Sequence, residues 1–204
     1  MDYKYTPERE NYALYAAVGV FYAAPGHTAY PVRLAVETFR RCLAWRGRAV
    51  TAGRTGNRAV VYDPCCGGAY ALATLAWFDR AHIDRIYASD LDPDALGVAA
   101  RNLSLLTPEG MARRIAELSD LHRQYGKESH AVALQHALTL QARLGDLVQD
   151  HPIETDLFCA DATDGTALAA GMAGVKADIV LTDLPYGQVA HWQGGAVPAQ
   201  GADP

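Results

Sequence analysis

The stretch that decides the fold is residues 59–78, which read AVVYDPCCGGAYALATLAWF. Residues 59–62 form a short apolar run, which is typical of a strand buried in a parallel sheet. Residues 69–78 are apolar nearly all round, as expected for a helix packed against such a sheet. Between them, Gly67 and Gly68 lack side chains, so the backbone there can come close to a ligand. The stretch therefore predicts a strand, a ligand-binding turn and a helix.

The same alternation of apolar strands and helical patterns continues along the chain. Three more short apolar runs predict buried strands, at residues 85–88, 156–159 and 178–181. One helix is predicted over residues 32–46, and another has Asp92 as its N-cap and Pro93 as its first helical residue and runs to Leu103. This alternation predicts an α/β fold, a doubly wound parallel sheet with right-handed crossovers.

Residues 107–150 are additional to that plan. A Thr-Pro pair begins a helix whose apolar stripe ends at Gly126, and a second stripe runs on to Val148. Together they predict an αα-hairpin, inserted within a single domain of residues 1–204. Basic side chains on the hairpin could contact phosphate, although a solvated helix face is their commoner role. They are Arg113, Arg114, Arg123 and Lys127.

Composition restricts the class of protein. The 204 residues are 50% hydrophobic, enough for one well-buried domain, and no run approaches the roughly 20 apolar residues of a membrane span. The N-terminus has no basic region followed by an apolar stretch, so we expect no secretory signal. The 4 cysteines have the spacing of neither a disulfide framework nor a zinc site. We therefore expect a monomeric, cytoplasmic enzyme without a metal and without a membrane partner.

The charge of the chain bears on nucleic-acid binding. The net charge of −5 and the pI near 5.8 argue against binding through the electrostatic field of the whole surface. Binding of nucleic acid through a local basic patch is not excluded by this charge. The net charge therefore argues against a nucleic-acid substrate but does not exclude one.

An aspartate stands at the end of each predicted strand, namely Asp63, Asp90, Asp161 and Asp183. In an open α/β sheet, ligands bind at the carboxyl ends of the strands. Asp90 can accept hydrogen bonds from both hydroxyl groups of a ribose, and Asp161 could accept one from an adenine amino group. Each acid alone is more often a helix cap or a turn residue, and the strict G-x-G-x-x-G pattern of dinucleotide sites is missing. As a set, the acids predict a nucleoside cofactor beside a second, planar substrate.

The last of these strand ends, residues 182–187, reads TDLPYG. The Asp183 carboxylate can accept a hydrogen bond from an N–H group of a base, and Pro185 fixes one backbone angle. Tyr186 offers a flat aromatic face for stacking. Alone, an ordinary turn after a strand is the commoner explanation. Beside the other acids, the stretch predicts a clamp for a planar base.

These features resemble those of the class I S-adenosylmethionine-dependent methyltransferases and occur along the chain in the same order as in that family. The resemblance implies a Rossmann-like fold. A narrower resemblance, from about Tyr22 to the C-terminus, is to the avilamycin-resistance rRNA methyltransferase family. The stretches that carry it are Ala24-Pro25-Gly26, AYPVRLA at 29–35, DPCCG at 63–67, ASDLDP at 88–93, Asn102-Leu103, Tyr125-Gly126-Lys127, VLTDLPYG at 180–187 and His191-Trp192. That family methylates a guanine of large-subunit (23S) ribosomal RNA and so protects ribosomes from orthosomycin antibiotics.

The resemblance implies a role for each matching residue, with S-adenosyl-L-methionine as the cofactor and large-subunit ribosomal RNA as the partner. The cofactor-binding residues would be Asp63, Cys65, Gly67, Gly68, Asp90, Asp161 and Asp183. The catalytic residues would be Asp183, Pro185 and Tyr186. The substrate-binding residues would be Arg33, Tyr186, His191 and Trp192. A salt bridge is the commoner role for Arg33, and packing is an equal alternative for His191 and Trp192.

The chain departs from the family at two places. The family's turn reads Cys-Cys-Gly-Ser-Gly-Tyr, whereas here Ala69 replaces the last glycine, whose missing side chain lets the cofactor approach. The family's sheet has seven strands and only four are readable here, so we expect a C-terminally shortened domain of weak activity, with an unpaired edge at residues 178–181. Two alternatives stay open: a methyltransferase for another nucleic acid or a small amine, and an inactive nucleoside-binding fragment.

Overall fold

The computed structural model of the chain describes residues 12–15, 19–23, 30–49 and 58–184. Its strands are β1 (Ala59–Asp63), β2 (Ile83–Asp90), β3 (Glu154–Cys159) and β4 (Ile179–Val180). Its helices are α1 (Val32–Ala49), α2 (Tyr70–Asp79), α3 (Pro93–Ser104), α4 (Pro108–Tyr125), α5 (Glu128–Asp150) and α6 (Gly165–Gly171), with short 3₁₀ helices at Ala13–Tyr15 and Arg80–His82. None of the described helices is long and apolar enough to cross a membrane.

The described strands form one parallel sheet in the order β3-β2-β1-β4. β1 pairs with β2 so that Asp63 lies opposite Ala88, and β2 pairs with β3 so that Asp90 lies opposite Cys159. β4 lies on the other side of β1, so the strand order reverses between β1 and β4. Ligands bind at such a reversal, outside the carboxyl ends of the strands. The predicted doubly wound α/β fold is confirmed.

Local chemistry sets the helix ends where the sequence predicts them. Asp92 caps α3, because its Oδ1 accepts a hydrogen bond from a first-turn amide at 2.9 Å, and Pro93 is the first helical residue. Thr107 caps α4 through Oγ1, which accepts from the Gly110 amide at 3.1 Å. Gly126 follows α4 in the left-handed conformation, at a φ of 61°. These contacts satisfy backbone groups that a helix end leaves unpaired.

One face of the sheet carries the main hydrophobic core. Val61 of β1 and Ile86 of β2 are fully buried there, in one cluster with Leu72 and Leu75 of α2. The apolar stripes of α4 and α5 belong to the same cluster, and their most buried members are Met111, Leu118, Ala137, Leu140 and Leu144. The predicted αα-hairpin is therefore confirmed, and its apolar faces pack on the core.

The opposite face of the sheet carries a smaller cluster beneath α6. Tyr62 and Tyr87 are buried in it with Met172, and the rings of Tyr62 and Phe158 stack with their centroids 6.1 Å apart. The sequence pattern does not predict α6, because its 7 residues are too few to show a helical period. Its N-cap is nevertheless readable, since the Asp164 carboxylate accepts from two amides of the first turn.

β4 forms an edge of the described sheet. Among the described residues it pairs only with β1, and Val180 is 59% exposed there. Whether this edge is unpaired, as predicted for residues 178–181, depends on residues outside the described ones and stays a prediction. The shortened domain and the single-domain bounds of residues 1–204 stay predictions.

Arg114 corrects the expectation that the basic residues of the hairpin face solvent. Its side chain is buried, with Nε donating to the Val20 carbonyl at 2.7 Å and Nη2 donating to the Gly19 carbonyl at 2.9 Å. Nη1 donates to Glu117 at 3.0 Å. The guanidinium group has donors enough to satisfy carbonyl groups of an irregular segment, which explains why it is buried here. Arg123, by contrast, pairs with a neighbouring acid on an exposed helix face, as expected.

Two glycine-to-alanine substitutions should have opposite effects on stability. A Cβ atom at Gly110 would lie 1.9 Å from the Ser104 carbonyl oxygen, so Gly110→Ala must displace backbone and should destabilise the fold by about 1–3 kcal/mol or more. A Cβ atom at Gly97, within α3, would meet nothing within 4 Å, so Gly97→Ala should stabilise the fold by about 0.5–1 kcal/mol. Denaturant unfolding measures both, and changes of the same sign would contradict the packing of α4 against Ser104.

Candidate active site

The carboxyl ends of the strands bring the predicted acids together. Asp63 is the last residue of β1, and Asp90 is the last residue of β2. The Ala160 amide donates to the Asp90 carbonyl at 3.1 Å, so the segment that carries Asp161 leaves the sheet beside Asp90. The charges of Asp90 and Asp183 both raise the pKa of Asp63, so these three carboxyl groups are neighbours. The structure therefore places the acids of four strand ends at one edge of the sheet.

The glycine turn between β1 and α2 is held by backbone hydrogen bonds. The Cys66 amide donates to the Ser89 carbonyl at 2.9 Å, which ties the turn to β2. The Ala69 amide donates back to the Cys66 carbonyl at 2.7 Å. Gly67 and Ala69 both have a φ of 51°, in the left-handed region that favours glycine. The departure at position 69 thus falls where the backbone conformation suits glycine better than alanine.

Asp90 contacts the turn directly. Its Oδ2 accepts a hydrogen bond from the Gly67 amide at 2.8 Å, and its Oδ1 accepts from the Asp92 amide at 3.0 Å. A carboxylate has about four acceptor positions, so two such bonds leave capacity for the hydroxyl groups of a ribose. The half-buried Asp90 can therefore hold the turn and a sugar together, and the neighbouring Asp92 is the helix cap, as predicted.

Asp63 lies beneath this edge and is 4% exposed. The pKa of its carboxyl group is raised to about 7, and burial is the largest cause. The charges of Asp90 and Asp183 act in the same direction. The nearby Thr182 hydroxyl and the Cys65 amide, which donates to Oδ1 at 3.1 Å, lower this pKa. The Thr182 oxygen itself is buried and makes no hydrogen bond of ordinary length to the described residues. Asp63 can therefore change its protonation near neutral pH when a charged ligand arrives.

The two adjacent cysteines are not thiolates at neutral pH. Burial and the charges of nearby acids, Asp63 first, raise the pKa of Cys65 to about 11. Burial also raises the pKa of the Cys66 thiol. Because the thiolate is the nucleophilic form of cysteine, neither side chain is prepared for covalent catalysis. Cys65 lies half-buried in the turn, and its predicted contact with a cofactor stays a prediction.

Asp161 and Arg33 make the contacts of their commoner roles, a turn for Asp161 and a salt bridge for Arg33. The Asp161 Oδ1 accepts from the Thr163 amide at 2.8 Å and from the Thr163 hydroxyl at 2.7 Å, so this acid shapes a turn. Arg33 pairs with Glu37 one helical turn away at 2.8 Å, and its side chain is 56% exposed. Their contacts with adenine and with RNA stay predictions.

The base clamp is only partly within the described residues. Asp183 is half-buried, three residues after the end of β4 and beside Asp63. The other residues predicted for the clamp and the RNA contact lie outside the described residues; they are Pro185, Tyr186, His191 and Trp192.

Asn102 belongs to the stretches that carry the resemblance, but the sequence predicts no role for it. In the structure it is fully buried, and its amide nitrogen donates to the Gly68 carbonyl at 2.8 Å, so it supports the glycine turn from behind. A signal is present in the sequence, because Asn102 falls in the apolar stripe of α3 with Ala95 and Ala99. A polar side chain in a buried stripe needs hydrogen-bond partners, and that requirement could have singled it out.

The pH dependence of stability should report the burial of Asp63. Its folded-state pKa of about 7 exceeds the ordinary value of 3.8, so between these pH values the folded state holds a proton that the unfolded state releases. Raising the pH from about 4 to about 7 should therefore lower the free energy of unfolding. The loss should be a few kcal/mol at most, since a pKa difference of one corresponds to about 1.4 kcal/mol.

Asp63→Asn should flatten that dependence, because the amide does not titrate. Asp84→Asn is the matched control, since the Asp84 side chain is 61% exposed on the same sheet. Chemical unfolding of the three proteins across this pH range gives the comparison. Parallel pH profiles for wild type and Asp63→Asn would contradict a raised pKa for Asp63.

Comparison with known proteins identifies the family. The family model of the rRNA methyltransferase AviRa matches residues 1–202. A 23S rRNA (guanine(2535)-N(1))-methyltransferase from Streptomyces viridochromogenes is 40% identical over 199 residues, which are 97% of this chain and 75% of that protein.

Two solved structures also match, both of the rRNA methyltransferase aviRa from Streptomyces viridochromogenes, at 1.5 Å and 2.4 Å. Each gives a TM-score of 0.78 at 39% identity. The first match covers 91% of this chain and 71% of the solved chain, and the second covers 92% and 72%. The resemblance predicted from the sequence is confirmed, and the chain belongs to the AviRa family of rRNA methyltransferases.

Proposed function

We propose that this protein transfers a methyl group from S-adenosyl-L-methionine to a guanine of large-subunit ribosomal RNA, at N1 of the base. The observation that carries the proposal is the gathering of four aspartates beside a glycine turn at one edge of the sheet. Membership of the AviRa family supports the reaction and the substrate class. The relative's own product, guanine 2535 methylated at N1, supports the choice of ring atom.

The residues at the edge fit a positively charged nucleoside cofactor. Asp90 retains acceptor capacity for a ribose after its bonds to Gly67 and Asp92. The surrounding acids favour a cation, and Asp63 is the group whose proton a cation would displace. When bound, S-adenosyl-L-methionine supplies an electrophilic methyl group on a sulfonium that leaves readily. The protein's task is then mainly to position the two reactants.

Asp183 is the residue that would prepare the guanine. N1 of guanine carries a hydrogen, and methylation there requires its loss. The Asp183 carboxylate lies beside Asp63, where it would accept a hydrogen bond from that N–H group and take up its proton as the N–CH3 bond forms and the sulfonium leaves. Pro185 would fix the loop, and Tyr186 would stack on the base after it leaves its surroundings in the RNA. Arg33, His191 and Trp192 would contact the RNA around it.

We also propose that the protein acts as a monomer in the cytoplasm, where ribosomal RNA is its substrate. Methylation of that RNA would protect ribosomes from orthosomycin antibiotics, as the resemblance implies. One observation favours a second candidate, a nucleoside-binding protein without turnover: Ala69 has a left-handed backbone in the turn that would face the cofactor. A third candidate keeps methyl transfer but acts on DNA, another RNA or a small amine.

The test is methyl transfer by the full chain with labelled S-adenosyl-L-methionine. Large-subunit ribosomal RNA, total DNA and small amines serve as parallel acceptors. We expect label in the ribosomal RNA alone and a reverse-transcription stop at the modified guanine, because N1 lies on its pairing edge. Label in DNA or amines but not in ribosomal RNA would replace the proposed substrate. Calorimetric binding of S-adenosylhomocysteine without any transfer would support the nucleoside-binding alternative instead.

Substitution of Asp183 should separate chemistry from cofactor binding. Asp183→Asn should lower methyl transfer by orders of magnitude and cofactor affinity by far less, because the base is the main partner of Asp183 and its charge is one of several near the cofactor. Asp94→Asn, at an exposed position in the first turn of α3, is the matched control and should leave both unchanged. Full turnover by Asp183→Asn would remove Asp183 from the mechanism.

Two substitutions of Asp90 should weaken cofactor binding to different degrees. Asp90→Asn keeps one acceptor oxygen but loses the charge, so the affinity for S-adenosylhomocysteine should fall by about 1–3 kcal/mol. Asp90→Ala should cost more, because the Gly67 amide then also loses its partner. Calorimetry measures both, and equal affinity in wild type and both variants would exclude Asp90 from the cofactor site.

A further inference from the structure

Asn102 makes three hydrogen bonds, all with the backbone of distant segments. Its Oδ1 accepts from the Tyr22 amide at 2.8 Å. Its Nδ2 donates to the Tyr22 carbonyl at 2.9 Å and to the Gly68 carbonyl at 2.8 Å. Both donor hydrogens of the amide are therefore used, and the side chain is fully buried. One side chain of α3 thus joins residues 19–23 to the glycine turn.

The bond to Gly68 fixes the peptide group that precedes Ala69. The carbonyl end of this peptide is held by Asn102, and its amide end donates to the Cys66 carbonyl at 2.7 Å. Ala69 then has a φ of 51° and a ψ of 27°, a conformation that an alanine avoids because its Cβ crowds the following carbonyl. Holding the peptide at both ends prevents the rotation that would relieve this crowding. The conformation of the turn therefore depends on an interaction outside the turn.

The other partner of Asn102 is itself firmly placed. The Tyr22 ring lies between two guanidinium groups, with the Arg101 carbon 3.8 Å and the Arg114 carbon 4.1 Å from its centroid. The Tyr22 hydroxyl donates to Glu117 at 2.7 Å. These contacts fix the Tyr22 backbone against α3 and α4, so it presents Asn102 with an amide and a carbonyl at constant positions. Asn102 is consequently held in one orientation, with its second hydrogen aimed at Gly68.

We propose that Asn102 is a positioning residue, which holds the Gly68–Ala69 peptide in the orientation that the cofactor requires and so compensates for the alanine at position 69. The link to the cofactor rests on the proposed function, whereas the link between Asn102 and the conformation of Ala69 does not. Without Asn102 the turn relaxes away from the left-handed conformation, and the Gly67 and Gly68 backbone no longer meets the ligand. With glycine at position 69 the same conformation is free of crowding, so the turn depends less on Asn102.

The experiment is a double-mutant cycle of Asn102→Ala and Ala69→Gly in the full chain. Calorimetry with S-adenosylhomocysteine, the KM for the cofactor and kcat are measured for all four proteins. Asn102→Ala alone should raise the dissociation constant and the KM about tenfold or more, with a smaller change in kcat. When Ala69→Gly is already present, adding Asn102→Ala should raise them less than about threefold.

Asp79→Asn is the matched control. It weakens the buried pair with Arg40 at the end of α2 away from the glycine turn, so it should lower the melting temperature without changing cofactor affinity. If Asn102→Ala does not fold, Asn102→Ser takes its place, because the shorter serine hydroxyl cannot span both Tyr22 and Gly68. A dissociation constant within about twofold of wild type, or an equal change with and without Ala69→Gly, would overturn the proposal.

Hydrogen exchange of the amide at position 69 gives a readout that needs no cofactor. This amide is protected by the Cys66 carbonyl, so Asn102→Ala should speed its exchange about tenfold in the ligand-free protein. The increase should be smaller when Ala69→Gly is also present. One outcome is that wild type binds no S-adenosylhomocysteine while Asn102→Ala still speeds exchange of the amide at position 69. In that case the proposed function fails and the role of Asn102 in the turn stands. Unchanged exchange overturns that role whatever the cofactor result.

Discussion

The hydrogen bond from the Gly67 amide to the Asp90 carboxylate, 2.8 Å long, is the contact on which the candidate site depends. It joins the turn after β1 to the end of β2, and the bond from the Cys66 amide to the Ser89 carbonyl runs beside it. Parallel strands bring their ends to one edge, but only such contacts fix the loops that follow. Asp90 therefore shapes the turn and still has acceptor positions that a ligand would be able to use.

The acids at this edge oppose stability and favour binding. Asp63 is buried beside Asp90 and Asp183, and both burial and repulsion raise the pKa of its carboxyl group. A fold that served stability alone would not gather carboxylates where they repel one another and lose water. A positively charged ligand relieves that repulsion, so free energy lost in the unliganded protein is recovered on binding. The perturbed acid for this reason supports this edge as the candidate site.

The features that the sequence predicts are those that depend on neighbouring residues or on burial alone. The caps of α3 and α4 need only residues within one turn, the buried strands need only an apolar run, and the acids of the candidate site stand out because each follows such a run. Arg114 and Asn102 differ, because their partners lie 94 and 80 residues away along the chain. In the sequence, one is a basic residue among several and the other a polar residue in an apolar stripe. Only the fold shows that both hold the backbone of residues 19–23.

The helical hairpin supports the site and is not an independent module. The apolar stripes of α4 and α5 pack the hairpin on the core through hydrophobic contacts, which are non-directional. Glu117 on α4 adds direction, because it accepts the Tyr22 hydroxyl, whose backbone in turn holds Asn102. Asn102 holds Gly68, so a path of directional contacts runs from the hairpin to the glycine turn. Removing residues 107–150 would therefore expose apolar core and would also take away one end of the support for the glycine turn of the candidate site.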